Sequence, residues 1–121
     1  FFFSTMSNES ANQLRCNYAK ELEELINKQI HAELVAFYAY QNIANHFQRD
    51  DVALEGFHKF FIKMADEEAG HARMLMKFQN ERGGRVILET IHAPSHYQCP
   101  ESLTPLGAMQ KSLEMEKNIY N

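Results

Sequence analysis

From Asn17 to Phe47 the chain contains neither proline nor glycine, and apolar residues recur three or four positions apart, at Ile26, Ile30, Leu34, Phe37 and Ala44. That spacing follows the 3.6-residue turn of an α-helix, and a run this long without a breaker predicts one continuous helix. Arg49-Asp50-Asp51 interrupts it. Asp50 or Asp51 is expected to accept hydrogen bonds from the free amides of a second helix, with Glu55 favouring the positive end of its dipole. This second helix is expected to reach about Arg82, where Gly83-Gly84 supplies the left-handed backbone that ends helices and Lys77, Arg82 and Arg85 complement the negative end. Two long helices on a short joint are expected to lie antiparallel.

Residues 85–103 hold Pro94 and Pro100 and read as a connection, with Val86-Ile87-Leu88 a brief extended stretch. A structureless segment of this length is unusual inside a compact domain, and a crossover along the length of a bundle explains it. Thr104-Pro105 is a strong helix start, threonine capping and proline in the first helical position, followed by Leu106, Met109, Leu113 and Ile119. The predicted fold class is therefore all-α. Residues 1–11 are expected to be a disordered N-terminal segment and 12–121 one partial domain.

Composition narrows the function classes. With 121 residues, 45% of them hydrophobic, there is room for one core. A formal charge of -4 and a pI near 5.8 give no general attraction for nucleic acid or anionic lipid, and suit cations. No apolar run approaches the roughly 20 residues that span a bilayer, so neither a membrane nor a nucleic-acid partner is expected. Cys16 and Cys99 are too few for a disulfide framework and are not spaced as a zinc motif, which points to a reducing, cytoplasmic setting. Phe1-Phe2-Phe3 is too short for a signal-peptide core, and Met6 is a candidate start; residues 1–5 then read as translated leader, with a signal-peptide remnant as the alternative.

The chemistry lies where a core should be. Buried helix seams recur at alternating steps of four and three, and that reading places Glu33 among Ile26, Ile30, Phe37, Tyr40 and Ala44. In the second helix it places Glu68 and His71 among Phe57, Phe61, Met64, Leu75 and Phe78, and in the third it places Glu116 among Met109, Leu113 and Tyr120. No lysine or arginine lies on these seams. Carboxylates removed from water need a partner, and a multivalent cation is the simplest neutraliser of three glutamates and one histidine. Carboxylate oxygens with one imidazole suit Fe(II), Mn(II) or Zn(II), and Glu68-x-x-His71 sets two ligands on one helical face. Singly, each residue has an ordinary reading: Glu33 or Glu116 a solvated carboxylate, His71 a core histidine, Tyr40 a core tyrosine. Glu67 reads equally as a cation guide or a solvated group. His31, His46, His58, His92 and His96 share no register and read as surface or loop residues, and the methionines as packing.

Several segments resemble the ferritin family: Ile26-Asn27-Lys28-Gln29-Ile30-His31-Ala32-Glu33-Leu34, the turn Phe47-Gln48-Arg49-Asp50-Asp51-Val52-Ala53-Leu54, Asp66-Glu67-Glu68-Ala69-Gly70-His71-Ala72, Leu75 through Gly83-Gly84-Arg85, and Leu113-Glu114-Met115-Glu116-Lys117-Asn118. The likeness covers roughly residues 12–121. It implies a ferritin-like four-helix bundle with a long crossover, of which helices one, two and the start of three are present. It further implies a heavy-type subunit whose ferroxidase centre binds a pair of irons: Glu33, Glu68 and His71 hold one, Glu68 bridges, Glu116 helps hold the second, and Tyr40 stands beside them. Fe(II) would be oxidised by dioxygen there and passed as Fe(III) to a mineral core inside a shell of 24 subunits.

The sequence also departs from the family. The stretch around His92–Thr104 is longer than the usual crossover and lacks its tryptophan, and the fourth helix with the later ligands of the second iron is absent. A fragment of a longer chain is therefore expected. Two alternatives remain at the level of sequence: a short non-catalytic chain that docks onto intact ferritin subunits, and another di-iron bundle oxidase.

Overall fold

The computed structural model describes residues 18–94 and 103–120. The expected N-terminal segment 1–11, both cysteines and His96 lie outside the described residues. Three helices form: α1 (Lys20–Gln48), α2 (Glu55–Glu81) and α3 (Pro105–Tyr120). The architecture is all-α, and among the described residues no helix is long and apolar enough to cross a membrane.

α1 and α2 lie antiparallel. Phe47 near the end of α1 stacks on Phe61 of α2, with ring centroids 5.8 Å apart, and Tyr40 also stacks on Phe61, at 6.3 Å. At the opposite end Gln79 of α2 donates from Nε2 to the Glu23 carbonyl, 3.0 Å away. The core is built from Ala36, Tyr40, Ile43, Ala44 and Phe47 of α1 against Phe61 and Ala65 of α2, with Ala108 of α3.

The joint differs from its expected form. Neither Asp50 nor Asp51 caps α2; the residue before its first turn is Leu54, which makes no side-chain cap bond. Asp51 is instead held by Arg49 in a two-point contact, Nε to Oδ1 at 2.9 Å and Nη2 to Oδ2 at 2.6 Å. The helix begins only at Glu55, so neither aspartate stands at the capping position. The turn is closed by the Leu54 amide bonding the Phe47 carbonyl at 3.0 Å, with Ala53 at a φ of 47°. Glu55 does occupy the first turn of α2.

α2 ends as its sequence predicts, with Gly83 left-handed at φ 83°. The next glycine has a different reason. A Cβ at Gly84 would lie 2.8 Å from the Tyr18 ring and 3.0 Å from the Gln79 side chain, both buried. Gln79 is saturated there: Oε1 accepts from the Tyr18 hydroxyl, and Nε2 also approaches the Arg85 carbonyl at 3.3 Å. Gly84→Ala is therefore expected to cost about 1–3 kcal/mol, the usual penalty for overpacking a fitted site. Thermal unfolding measures it, and an unchanged midpoint would mean that this end of the bundle repacks freely.

The connection after α2 contains no strand among its described residues, so Val86-Ile87-Leu88 is not a sheet element. It is pinned along α1: the Arg85 amide donates to Glu23 Oε2 at 2.8 Å, the Ile87 amide to Asn27 Oδ1 at 3.1 Å, and Asn27 Nδ2 to the Arg85 carbonyl at 2.9 Å. Its far end is tied to the opposite end of the same helix, where His46 Nε2 donates to the Leu103 carbonyl at 3.2 Å. From Glu23 to His46 is about 35 Å at the α-helical rise, so the described ends of the connection sit at opposite ends of α1, as a crossover along the bundle requires. α3 consequently runs antiparallel to α1. Its start is as expected, with the Gly107 amide donating to Thr104 Oγ1 at 3.0 Å and Pro105 opening the helix.

Two expected seams are rotated. In α2 the buried residues are Phe61, Ala65, Glu68, Ala72 and Gln79, while Phe57, Phe78 and His71 lie exposed on the flank. In α3 Ala108 and Ser112 turn inward and Met109 and Leu113 outward. The cause is the same in both: small side chains let the backbones approach, and the large ones are displaced to the sides.

Candidate metal site

Glu33 and Glu68 face one another across the middle of the α1–α2 interface, both almost fully buried at 2% and 3% exposure. His71, one turn beyond Glu68, sits at the rim rather than on the buried seam. Its side chain is 45% exposed, yet Nδ1 points back to within 3.5 Å of Glu33 Oε2 and 3.8 Å of Glu68 Oε2. One ligand atom from each of the three residues lies within 4.8 Å of the other two, an arrangement able to hold a single cation. Gln29 Nε2 steadies the Glu33 carboxylate at 3.2 Å.

Glu68 is surrounded by other carboxyls, Glu33 and Glu116, with the His71 ring at 3.8 Å. Its Oε2 is buried and makes no hydrogen bond among the described residues. Burial above all, then the neighbouring carboxyls of Glu33 and Glu116, push its pKa up to about 9. Burial and these neighbours therefore favour its protonated form while no cation is bound. A group so placed raises the free energy of the folded chain unless something charged binds it. Carboxylate oxygens and one ring nitrogen match a divalent transition ion in number and kind.

Glu116 reaches the same neighbourhood from α3 but stands outside the three-ligand group. It borders Glu68 and accepts a hydrogen bond on Oε1 from the Tyr40 hydroxyl at 2.7 Å. Tyr40 is completely buried, and burial pushes its phenol well above the ordinary value, so it is a proton donor here. The structure thus brings Glu33, Glu68, His71 and Glu116 into one neighbourhood, with the first three as a compact set.

Besides Ser112 of α3, three polar residues escaped the sequence reading. Gln79 is fully buried in the lock described above, although it looks like a surface glutamine on a helix. His46 is buried at 4% exposure rather than on the surface, its Nε2 bonded to Leu103. His58 is half-buried and donates from Nδ1 to the Ala44 carbonyl at 2.8 Å. All three satisfy backbone carbonyls at helix ends or crossings, where no periodicity marks them. None belongs to the metal cluster.

The ferritin-like domain family matches residues 23–121, which contain the whole cluster. The chain belongs to the ferritin family. Its similarity to individual ferritins is high. It is 51% identical to the soma ferritin of Lymnaea stagnalis over 110 residues, 91% of this chain and 62% of that one. It is 49% identical to the ferritin-1 heavy chain of Schistosoma mansoni over 105 residues, 87% of this chain and 59% of the relative. A chloroplastic ferritin of Malus baccata var. xiaojinensis is 48% identical over 106 residues, covering 87% and 42% respectively. The chain therefore spans about six-tenths or less of the ferritins it matches.

Proposed function

We propose that this ferritin chain is part of an iron-storage subunit that oxidises Fe(II) with dioxygen. The observation that carries the reading is the buried Glu33–Glu68 pair with His71 at its rim. Burial and like-charged neighbours destabilise the Glu68 carboxylate until a cation arrives. Iron is the substrate. Glu33, Glu68 and His71 hold one Fe(II), and Glu116 helps hold a second on the other side of Glu68, which bridges the two. The two Fe(II) together give two electrons to one dioxygen, which takes up two protons and leaves as hydrogen peroxide. Carboxylates favour the product because their negative charge stabilises Fe(III) more than Fe(II). Tyr40 orients Glu116 by its hydrogen bond.

Fe(III) then passes to a mineral core within a shell of 24 subunits, of which other ferritin chains are the partners, and the setting is the cytoplasm. Similarity to a relative named as a heavy chain supports the catalytic rather than the light type. The test is fast, oxygen-dependent Fe(II) oxidation by the full chain, and its loss when Glu68 is removed.

A further inference from the structure

Ser112 occupies a position on α3 where a small residue of any kind would let the helix approach α1, yet this residue, 6% exposed, carries a hydroxyl. That hydroxyl lies 3.2 Å from the Tyr40 hydroxyl, on the same α3 face as Glu116 one turn later. A phenol has one proton to give. The shorter contact, 2.7 Å to Glu116 Oε1, takes it, because a carboxylate is the strongest acceptor nearby. The Tyr40 oxygen is then left to accept, and Ser112 Oγ is placed to donate to it. The approach of the Tyr40 hydroxyl to the Ser112 carbonyl, at 3.5 Å, is too long to compete.

We propose that Ser112 is a positioning residue of the metal cluster: its hydroxyl donates to Tyr40, Tyr40 donates to Glu116, and this directed chain holds the α3 carboxylate toward Glu68. Hydrogen bonds aligned donor to acceptor polarise one another, most strongly where water is excluded, and Tyr40 is fully buried. Ser112 and Glu116 therefore grip the Tyr40 hydroxyl from one helix, so that the seating of α3 on α1 sets the direction of the Glu116 carboxylate. This rests on the two-ion reading of the site, and it assigns the serine to the second ion alone.

The test is titration of the full chain with Zn(II), which is redox-inert, followed by calorimetry. The unsubstituted chain is expected to bind two ions per subunit at this cluster. Ser112→Ala should weaken the second by about threefold to tenfold, the scale of one neutral hydrogen bond, and leave the first unchanged. Tyr40→Phe should weaken the same step at least as much. The double variant should be no weaker than Tyr40→Phe alone, because the serine acts only through the phenol. Additive losses, or an unchanged second affinity in Ser112→Ala, would overturn the assignment while leaving the metal site standing. If the unsubstituted chain bound no ion at these residues, both the site reading and this inference would fall.

Discussion

Replacing Glu68 by glutamine in the full chain is expected to lower the rate of fast Fe(II) oxidation by on the order of a hundredfold or more, while the unfolding temperature of the metal-free protein stays level or rises. The two halves of the result come from one fact. Glu68 is buried, its Oε2 has no hydrogen-bond partner among the described residues, and the carboxyls of Glu33 and Glu116 crowd it. An amide of the same shape removes the anion that the proposed site shares between two irons, but it also removes a group the empty fold tolerates poorly. Glu68→Ala should lose activity equally, though it also leaves a void, so its stability is the less informative readout. Stopped-flow absorbance gives the rate and calorimetry the midpoint. Retained fast oxidation in either variant would remove Glu68 from the chemistry.

The second large effect is on pH. Burial, then the carboxyls of Glu33 and Glu116, push the Glu68 pKa up from its ordinary value of 4.5 to about 9 in the folded chain. Because the folded pKa is raised, this group's contribution to stability is fully present below pH 4.5 and is lost as pH rises through about 9. Metal binding runs the other way. A cation needs the carboxylate, so below pH 9 each binding event at Glu68 must expel a proton, and affinity should climb by about tenfold per pH unit. Between about pH 7.5 and 8.5, above the ordinary imidazole range, Zn(II) titrations in buffers of different ionisation enthalpy should report close to one proton released at Glu68, and Glu68→Gln should abolish it. Release that is unchanged by the substitution would show that the proton comes from elsewhere.

The helices themselves were legible because their signals are local. Threonine and proline at 104–105 cap and open α3 as read, Gly83 ends α2, and the two pinned ends of the unusually long connection lie where a crossover requires them. What periodicity could not resolve was the rotation of each helix about its axis. Large apolar residues draw the eye to Phe57, Phe78, Met109 and Leu113, whereas the contacts are made by Ala65, Ala72, Ala108 and Ser112. Alanine scores weakly on any hydrophobic scale, yet only a small side chain permits helices to close to the distance at which Glu33 meets Glu68.

Of the candidate ligands, Glu33 and Glu68 lie on buried faces as the register placed them, Glu116 comes in half-buried from a helix whose seam is rotated, and His71 was put one step too deep. Its spacing from Glu68 was right, but a long imidazole at the rim can still turn inward to the carboxylates. The capping of α2 failed for a different reason, because the turn closed by the Leu54 amide on the Phe47 carbonyl carries the chain past both aspartates before the helix begins at Glu55. Gln79 and His46 were unreadable without the fold, since their partners lie at Glu23 and Leu103, far away in the chain.

The most direct measurement is anomalous diffraction at the iron edge from crystals of the full chain loaded with Fe(II) under anaerobic conditions. Two iron peaks are expected per subunit, one enclosed by Glu33, Glu68 and His71 and one on the Glu116 side of Glu68. Iron found only on exposed carboxylates, with none between α1 and α2 at Glu68, would contradict the assignment of this buried cluster as the place where the chain binds and oxidises its substrate.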